Sequence, residues 1–202
     1  MKITKFSGEQ VDYQQEKLIR SLKKSGAEDH VVSEILQQIE PQLYDGISSK
    51  KIYKLAFQYL KNYSNVTAAR YNLKSAMTAL GPAGFYFEKY ISKIHEYLGY
   101  KTQINLTLDG KCVSHEVDVL LLKEDLVTMI ECKFHSSTDA KTDVKVPMYI
   151  LSRFNDLKEK KYKLFGQLRF INFCLIVTNN KFTEDALAFA KCSNLKMLSW
   201  DY

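Results

Sequence analysis

The stretch from residue 113 to 134 constrains the fold more than any other part of this 202-residue chain. His115-Glu116-Val117-Asp118 leads into the apolar run Val119-Leu120-Leu121-Leu122, and Leu126-Val127-Thr128-Met129 leads into Ile130-Glu131-Cys132-Lys133. Only Lys123-Glu124-Asp125 separates the two runs, which is short enough for a β-hairpin. The pattern predicts paired strands over residues 113–122 and 126–134. Antiparallel pairing brings Asp118 near Glu131. The two-residue period of a strand puts Glu131 and Lys133 on one face.

The pattern on either side of Gly81-Pro82 differs, and predicts two domains, residues 1–82 and 83–202. In the first, Ile3-Thr4-Lys5-Phe6 and Gln10-Val11-Asp12 flank the turn Ser7-Gly8-Glu9 as a short strand pair. Helices are predicted over residues 14–25 and 28–43, then a third capped by Ser48 or Ser49 and running to 63, and a fourth opened by Asn65 or Thr67 and running to 80. Leu18, Leu22, Val32, Ile35, Leu36, Ile39, Ile52, Leu55, Phe57 and Leu60 have the spacing of a small helical core. In the second domain Phe85, Phe87, Tyr90, Ile91, Ile94 and Leu98 predict a helix ending at Gly99. Strands at residues 102–108 and 171–178, helices at 143–157 and 184–192, and a last strand at 196–200 complete the order α-β-β-β-α-β-α-β. The fold class is therefore α/β overall, a mostly helical N-terminal part with a short β-hairpin followed by a mixed sheet. The charge run Lys158-Glu159-Lys160-Lys161-Tyr162-Lys163 reads as a solvated helix end and loop.

Composition narrows the setting. A hydrophobic fraction of 46% is that of a packed globular chain. No apolar run approaches the ~20 residues that a membrane span needs, and Met1-Lys2-Ile3-Thr4-Lys5 lacks the apolar core of a signal peptide. Cys112, Cys132, Cys174 and Cys192 form no CxxC pair and read as reduced thiols of a cytoplasmic protein without a membrane partner. A net charge of +6 is compatible with a polyanionic partner.

Two carboxylates and an ammonium on one sheet face are the groups that phosphodiester hydrolysis uses. Carboxylates supply hard oxygen ligands for Mg²⁺ or Mn²⁺, and a Lys orients or helps deprotonate the attacking water and offsets developing charge. Asp118 and Glu131 are the expected metal ligands, with Lys133 beside them. His115 and His135 read as ordinary polar residues, Gln167 as a weaker candidate for orienting water or phosphate, and Cys132 as core filler.

With Asp118, the triplet Glu131-Cys132-Lys133, the opening Gly84-Phe85-Tyr86-Phe87-Glu88 and this element order, residues 83–202 resemble the PD-(D/E)xK nuclease superfamily in its Mrr-like restriction endonuclease branch. Glu131-Cys132-Lys133-Phe134-His135 and Asp143-Val144-Lys145-Val146-Pro147 also resemble one subgroup of these nucleases. The resemblance implies an α-β-β-β-α-β core of restriction-endonuclease type. It implies a Mg²⁺-dependent endodeoxyribonuclease of type II or IV restriction character, with Asp118, Glu131, Lys133 and Glu88 as catalytic residues. DNA is the implied partner. A double-strand cut needs two protomers or two encounters, so a homodimer or higher homo-oligomer is expected.

Residues 1–80 resemble a second family, the ATP-cone. The resemblance rests on Ile3-Thr4-Lys5-Phe6-Ser7-Gly8, Glu16-Lys17-Leu18, Tyr44-Asp45-Gly46-Ile47-Ser48-Ser49 and Ala68-Ala69-Arg70-Tyr71. It implies an ATP or dATP effector, with Lys5 and Lys17 converging on triphosphate oxygens as point charges and Ser49 near the base. Phe6 stands where the family has Arg, and Val11 where it has an acid. Together the two resemblances lead to a metal-dependent DNA endonuclease regulated by nucleotide. The alternative is an inactive nuclease fold acting as a nucleotide-responsive DNA-binding or assembly module.

Overall fold

A computed structural model of the protein describes residues 1–5, 7–78, 84–137 and 140–199. Phe6, Leu80, the Gly81-Pro82 junction, Ala83, Trp200 and Tyr202, which the sequence reading invoked, lie outside these residues. The chain separates into two compact units, residues 1–76 and Met77 onward.

The first unit opens on a hairpin, β1 (Lys2–Thr4) and β2 (Gln10–Asp12), paired antiparallel with Ile3 opposite Val11. Helices α1 (Gln15–Lys24), α2 (Asp29–Ile39), α3 (Ser49–Tyr63) and α4 (Asn65–Thr78) follow, the last passing the division between units. The helix expected to reach residue 43 stops at Ile39 and continues as a 3₁₀ turn, Glu40–Gln42, with Pro41 near its start. Proline has no N–H to extend the α-helical ladder, so the chain tightens there. Ser48, outside α3, is its cap: its hydroxyl accepts from the Lys51 N–H. Leu22, Ile35, Ile39, Ile47, Ala56 and Leu60 are buried at the centre of this unit.

The second unit is an α/β domain. Helix α5 (Phe85–Tyr97) leads into β3 (Lys101–Asp109), β4 (Ser114–Lys123) and β5 (Leu126–Lys133). Then come β6 (Lys141–Thr142), α6 (Lys145–Leu157), the hairpin β7 (Tyr162–Leu164) and β8 (Gln167–Arg169), β9 (Phe173–Thr178), β10 (Lys181–Phe182), α7 (Glu184–Cys192) and β11 (Lys196–Leu198). Five strands form a mixed sheet in the order β11-β9-β5-β4-β3, antiparallel from β3 to β5 and parallel from β5 through β9 to β11. Leu120, Met129, Ile176, Ile150, Leu157 and Ala186 form a core between this sheet, α6 and α7. Helix α5 packs on β3 and β4. Pro147 sits at the third position of α6, within the first turn, where its missing N–H has no partner to lose.

The β4–β5 turn is shorter than the sequence suggested. Lys123 pairs with Leu126, leaving Glu124 and Asp125 as a two-residue loop with φ of 51° and 64°. Positive φ at both positions is the hairpin geometry that matches strand twist, reached here without the Asn-Gly that normally announces it. Two small pairings were not foreseen: the β7–β8 hairpin and the parallel β6–β10 contact. Their two- and three-residue strands carry too little periodicity to read. The charge run at 158–163 is also more than a solvated surface, because the Lys160 ammonium donates to the carbonyls of Asp109 and Gly110 and Tyr162 opens β7.

The loop joining β3 to β4 is clamped by Asp156. Its carboxylate accepts from the N–H groups of Cys112 and Val113 and pairs with His115 Nε2 at 2.8 Å. A Cβ on Gly110 would collide with that carboxylate and lie 2.7 Å from the Val113 carbonyl. Gly110→Ala should therefore destabilise the second unit by about 1–3 kcal/mol, the usual cost of forcing atoms into a filled space. Thermal denaturation checks this, and an unchanged melting temperature would contradict the clamp.

Candidate active site

The β4–β5 ladder stops at the pair Val119–Ile130. Continued by one step it would pair Asp118 with Glu131, but there the strands part. The Asp118 carboxylate accepts from the backbone N–H of Cys132 at 2.7 Å, so a side chain takes over from the ladder. On the other side, the β3–β4 pairing skips the position opposite Asp118, where Asn105 has φ of 54°. Asn tolerates this left-handed conformation better than most residues. The irregularity resets the alternation of β4: Val117 and Leu120 belong to one core cluster although strict alternation would send them to opposite faces. Asp118 thus sits at a kink, with no ladder partner on β3 or on β5.

Glu131 is almost fully buried, its side chain 4% exposed. It survives there because cations meet both of its oxygens: Lys133 Nζ lies 2.6 Å from Oε1 and Arg153 Nη1 2.8 Å from Oε2. The Tyr149 hydroxyl donates to Oε1 at 3.3 Å. The Lys133 ammonium also lies 5.4 Å from the centre of the Tyr149 ring. Helix α6 carries Tyr149 and Arg153 one turn apart, facing the same carboxylate.

The electrostatics reflect crowding of acids. Burial, then the Glu131 charge, push the Asp118 carboxyl up to about 7, against the lowering effect of the Cys132 N–H. Glu88, half-buried on α5, is also raised, by burial and then by Glu116 and Glu131. Burial pulls Lys133 down, but its hydrogen bonds to Glu131 and Tyr149 outweigh this and set it at about 12. In this state Lys133 is an ammonium, suited to orienting oxygen ligands and offsetting negative charge rather than to taking a proton.

The structure thus brings Asp118, Glu131, Lys133 and Glu88 into one electrostatic neighbourhood. Sequence reasoning missed Glu116, Tyr149 and Arg153. The first stands two residues before Asp118. The other two have helical i, i+4 spacing, a signal that marks a common face without naming what it meets. The remaining candidates have structural partners. His115 pairs with Asp156. His135 Nε2 meets Thr142 at 2.8 Å, and its backbone is bracketed by the Asn179 side chain. The Gln167 amide oxygen is taken by Arg169. Cys132 is buried as expected, and its N–H, not its thiol, serves the site. All four cysteines are free thiols.

Among the described residues no three Asp, Glu, His or Cys side chains converge tightly enough to form a metal cage on their own. Mg²⁺ does not need one, since it keeps several waters and takes one or two carboxylates plus substrate phosphate. Asp118 and Glu131 fit that pattern, and their repulsion is what a divalent cation would relieve.

In the first unit, Lys5 Nζ lies 2.8 Å from Glu9 across the exposed hairpin turn. Lys17 is exposed in the first turn of α1, and Ser49 is the first residue of α3. No hydrogen bond or ion pair joins these three among the described residues. A separate cleft of about 360 Å³ is lined by Met1, Tyr13, Gln15, Leu36, Ile39, Glu40 and Leu43.

Among known protein families, residues 1–74 match the ATP cone domain. An uncharacterized protein of Archaeoglobus fulgidus is 32% identical over 112 residues, 55% of this chain and 59% of that protein. The match therefore spans about three-fifths of the curated relative. A crystal structure of a protein of unknown function, AF1548, has a TM-score of 0.52 at 31% identity, covering 59% of this chain and 60% of that one. The DNA modification-dependent restriction endonuclease AspBHI gives a TM-score of 0.38 at 13% identity, over 62% of this chain and 32% of its own. Among the described residues no helix is long and apolar enough to cross a membrane.

The raised Asp118 pKa has a sign that can be tested. An acid that moves from its ordinary 3.8 up to about 7 on folding binds more protons in the native than in the unfolded chain between those values. Stability should then fall as pH rises through that window and level off above about 7. Asp118→Asn keeps an acceptor for the Cys132 N–H and removes the charge. In metal-free buffer it should melt above wild type at pH 8, with the gap closing towards pH 4. Equal melting temperatures at pH 8 would contradict the buried-charge assignment.

Proposed function

We propose that the second unit is a divalent-metal-dependent endonuclease of the PD-(D/E)xK, Mrr-like kind, acting on DNA. The observation that carries this reading is the meeting of Asp118, Glu131 and Lys133 where β4 and β5 part. Asp118 and Glu131 would hold Mg²⁺ or Mn²⁺, with Glu88 reaching it through water. The metal, when bound, supplies Lewis acidity and a more acidic bound water. The chain's own residues do the rest. The kink at Asp118 holds one carboxylate against the Cys132 N–H. Burial of Glu131 between Lys133 and Arg153 fixes the second. Lys133, kept cationic, orients the attacking water and offsets charge on the reacting phosphate.

One such site cuts one strand, so a double-strand cut takes two protomers or two encounters, and we propose a homo-oligomer that supplies the two sites together. The first unit, an ATP cone domain, would bind ATP or dATP as an effector rather than a substrate. Lys5 and Lys17 are its proposed phosphate contacts, with Ser49 near the base. Lys5 is held only by an exposed ion pair with Glu9, worth about 0–1 kcal/mol, so a triphosphate can displace it readily.

Two experiments test this reading, and the first separates it from an inactive DNA-binding module. Plasmid and single-stranded DNA incubated with Mg²⁺ or Mn²⁺ should be cleaved by wild type. Asp118→Ala and Lys133→Ala should lose on the order of 10²-fold or more in rate while staying folded. Binding without cleavage by wild type would favour the inactive module, and equal cleavage by all three proteins would point to a contaminant. Calorimetry of the full chain should show ATP or dATP binding, weakened in Lys5→Ala and Lys17→Ala and weaker still for AMP. AMP binding as tightly as ATP would discard the two-lysine contact.

A further inference from the structure

We infer that Arg153 is a positioning residue: it bridges the parted ends of β4 and β5 and commits one oxygen of Glu131, leaving the other to face the cation. The inference rests on the metal-site reading above and goes beyond it in assigning a role to a residue of α6. The Arg153 guanidinium uses its two terminal nitrogens on two different strands. Nη1 meets Glu131 Oε2 on β5 at 2.8 Å, and Nη2 donates to the Glu116 carbonyl on β4. Both acceptors lie beyond the last regular pair, Val119–Ile130, so the planar fork spans the opening where the ladder has ended.

The two oxygens of Glu131 are therefore not equivalent. Oε2 belongs to Arg153. Oε1 belongs to Lys133 at 2.6 Å and to the Tyr149 hydroxyl at 3.3 Å, and both of these are more exposed than Arg153. A lysine ammonium on a flexible stem gives way more easily than a guanidinium held at two points. Glu131 would thus offer Oε1 to a divalent ion, releasing Lys133 towards water and phosphate, while Arg153 stays on Oε2. Arg153 Nε is buried with no hydrogen-bond partner among the described residues, so the polar contacts of the side chain are those of its two terminal nitrogens.

The test uses the full chain as wild type, Arg153→Lys and Arg153→Gln, with Mn²⁺ affinity by calorimetry and steady-state cleavage of DNA. Partners that orient metal ligands typically contribute about 10–100-fold to metal affinity. Arg153→Gln should lose that much Mn²⁺ affinity and lose kcat, with KM for DNA unchanged, because both terminal nitrogens of Arg153 are already committed to protein acceptors. Arg153→Lys keeps the charge but serves only one acceptor, so it should recover only part of the loss. Wild-type Mn²⁺ affinity and kcat in folded Arg153→Lys would overturn the two-point bridge, whether or not Arg153→Gln folds. A lowered melting temperature with unchanged metal affinity in both variants would reduce Arg153 to a structural role. No Mn²⁺ binding and no cleavage by wild type would instead overturn the metal-site reading itself.

Discussion

The parting of β4 from β5 beyond Val119 and Ile130 organises the charged cluster of the second unit. Two side chains replace the lost ladder: the Asp118 carboxylate on the Cys132 N–H, and the Arg153 guanidinium between Glu131 and the Glu116 carbonyl. A continuous hairpin would have satisfied its backbone internally and left these groups no reason to converge. The opening creates backbone groups in need of partners, and the partners are charged. A buried ion pair of this kind is poor stabilisation in itself, yet losing one member costs about 3–5 kcal/mol. Glu131, Lys133 and Arg153 are therefore interdependent.

The apolar core makes that arrangement rigid. Met129 and Val127 on β5, Leu120 on β4 and Ile150 on α6 are fully buried in one cluster. They fix α6 against the sheet, and α6 presents Tyr149 and Arg153 to Glu131. At the far end of the same helix Asp156 gathers the β3–β4 loop through Cys112, Val113 and His115. One helix thus anchors both the loop that precedes β4 and the carboxylate at the end of β5.

Much of this was legible in the residues. The hairpin, the mixed sheet and the convergence of Glu131 with Lys133 follow from apolar runs and the two-residue period. The helices of the first unit follow from their spacing, and Ser48 was one of two candidates for the cap of α3. What could not be read depended on contacts across the chain. Asp118 seemed a regular strand residue, and the kink depends on Asn105, thirteen positions earlier, taking a positive φ. Lys160 looked solvated because nothing local shows that its ammonium reaches the carbonyls of Asp109 and Gly110. His115 reads as an ordinary polar residue in the sequence, and its partner Asp156, forty-one positions on, could not be named from it. Arg153 is a surface-type residue on a helix until the sheet beneath it is known.

Anomalous diffraction from crystals soaked in Mn²⁺ measures the central point directly. The expected result is a Mn²⁺ peak in contact with the carboxylates of Asp118 and Glu131, the latter through Oε1, with Lys133 displaced and Arg153 still on Oε2. A well-ordered site with no Mn²⁺ at these carboxylates, or with Mn²⁺ bound only elsewhere on the chain, would contradict it.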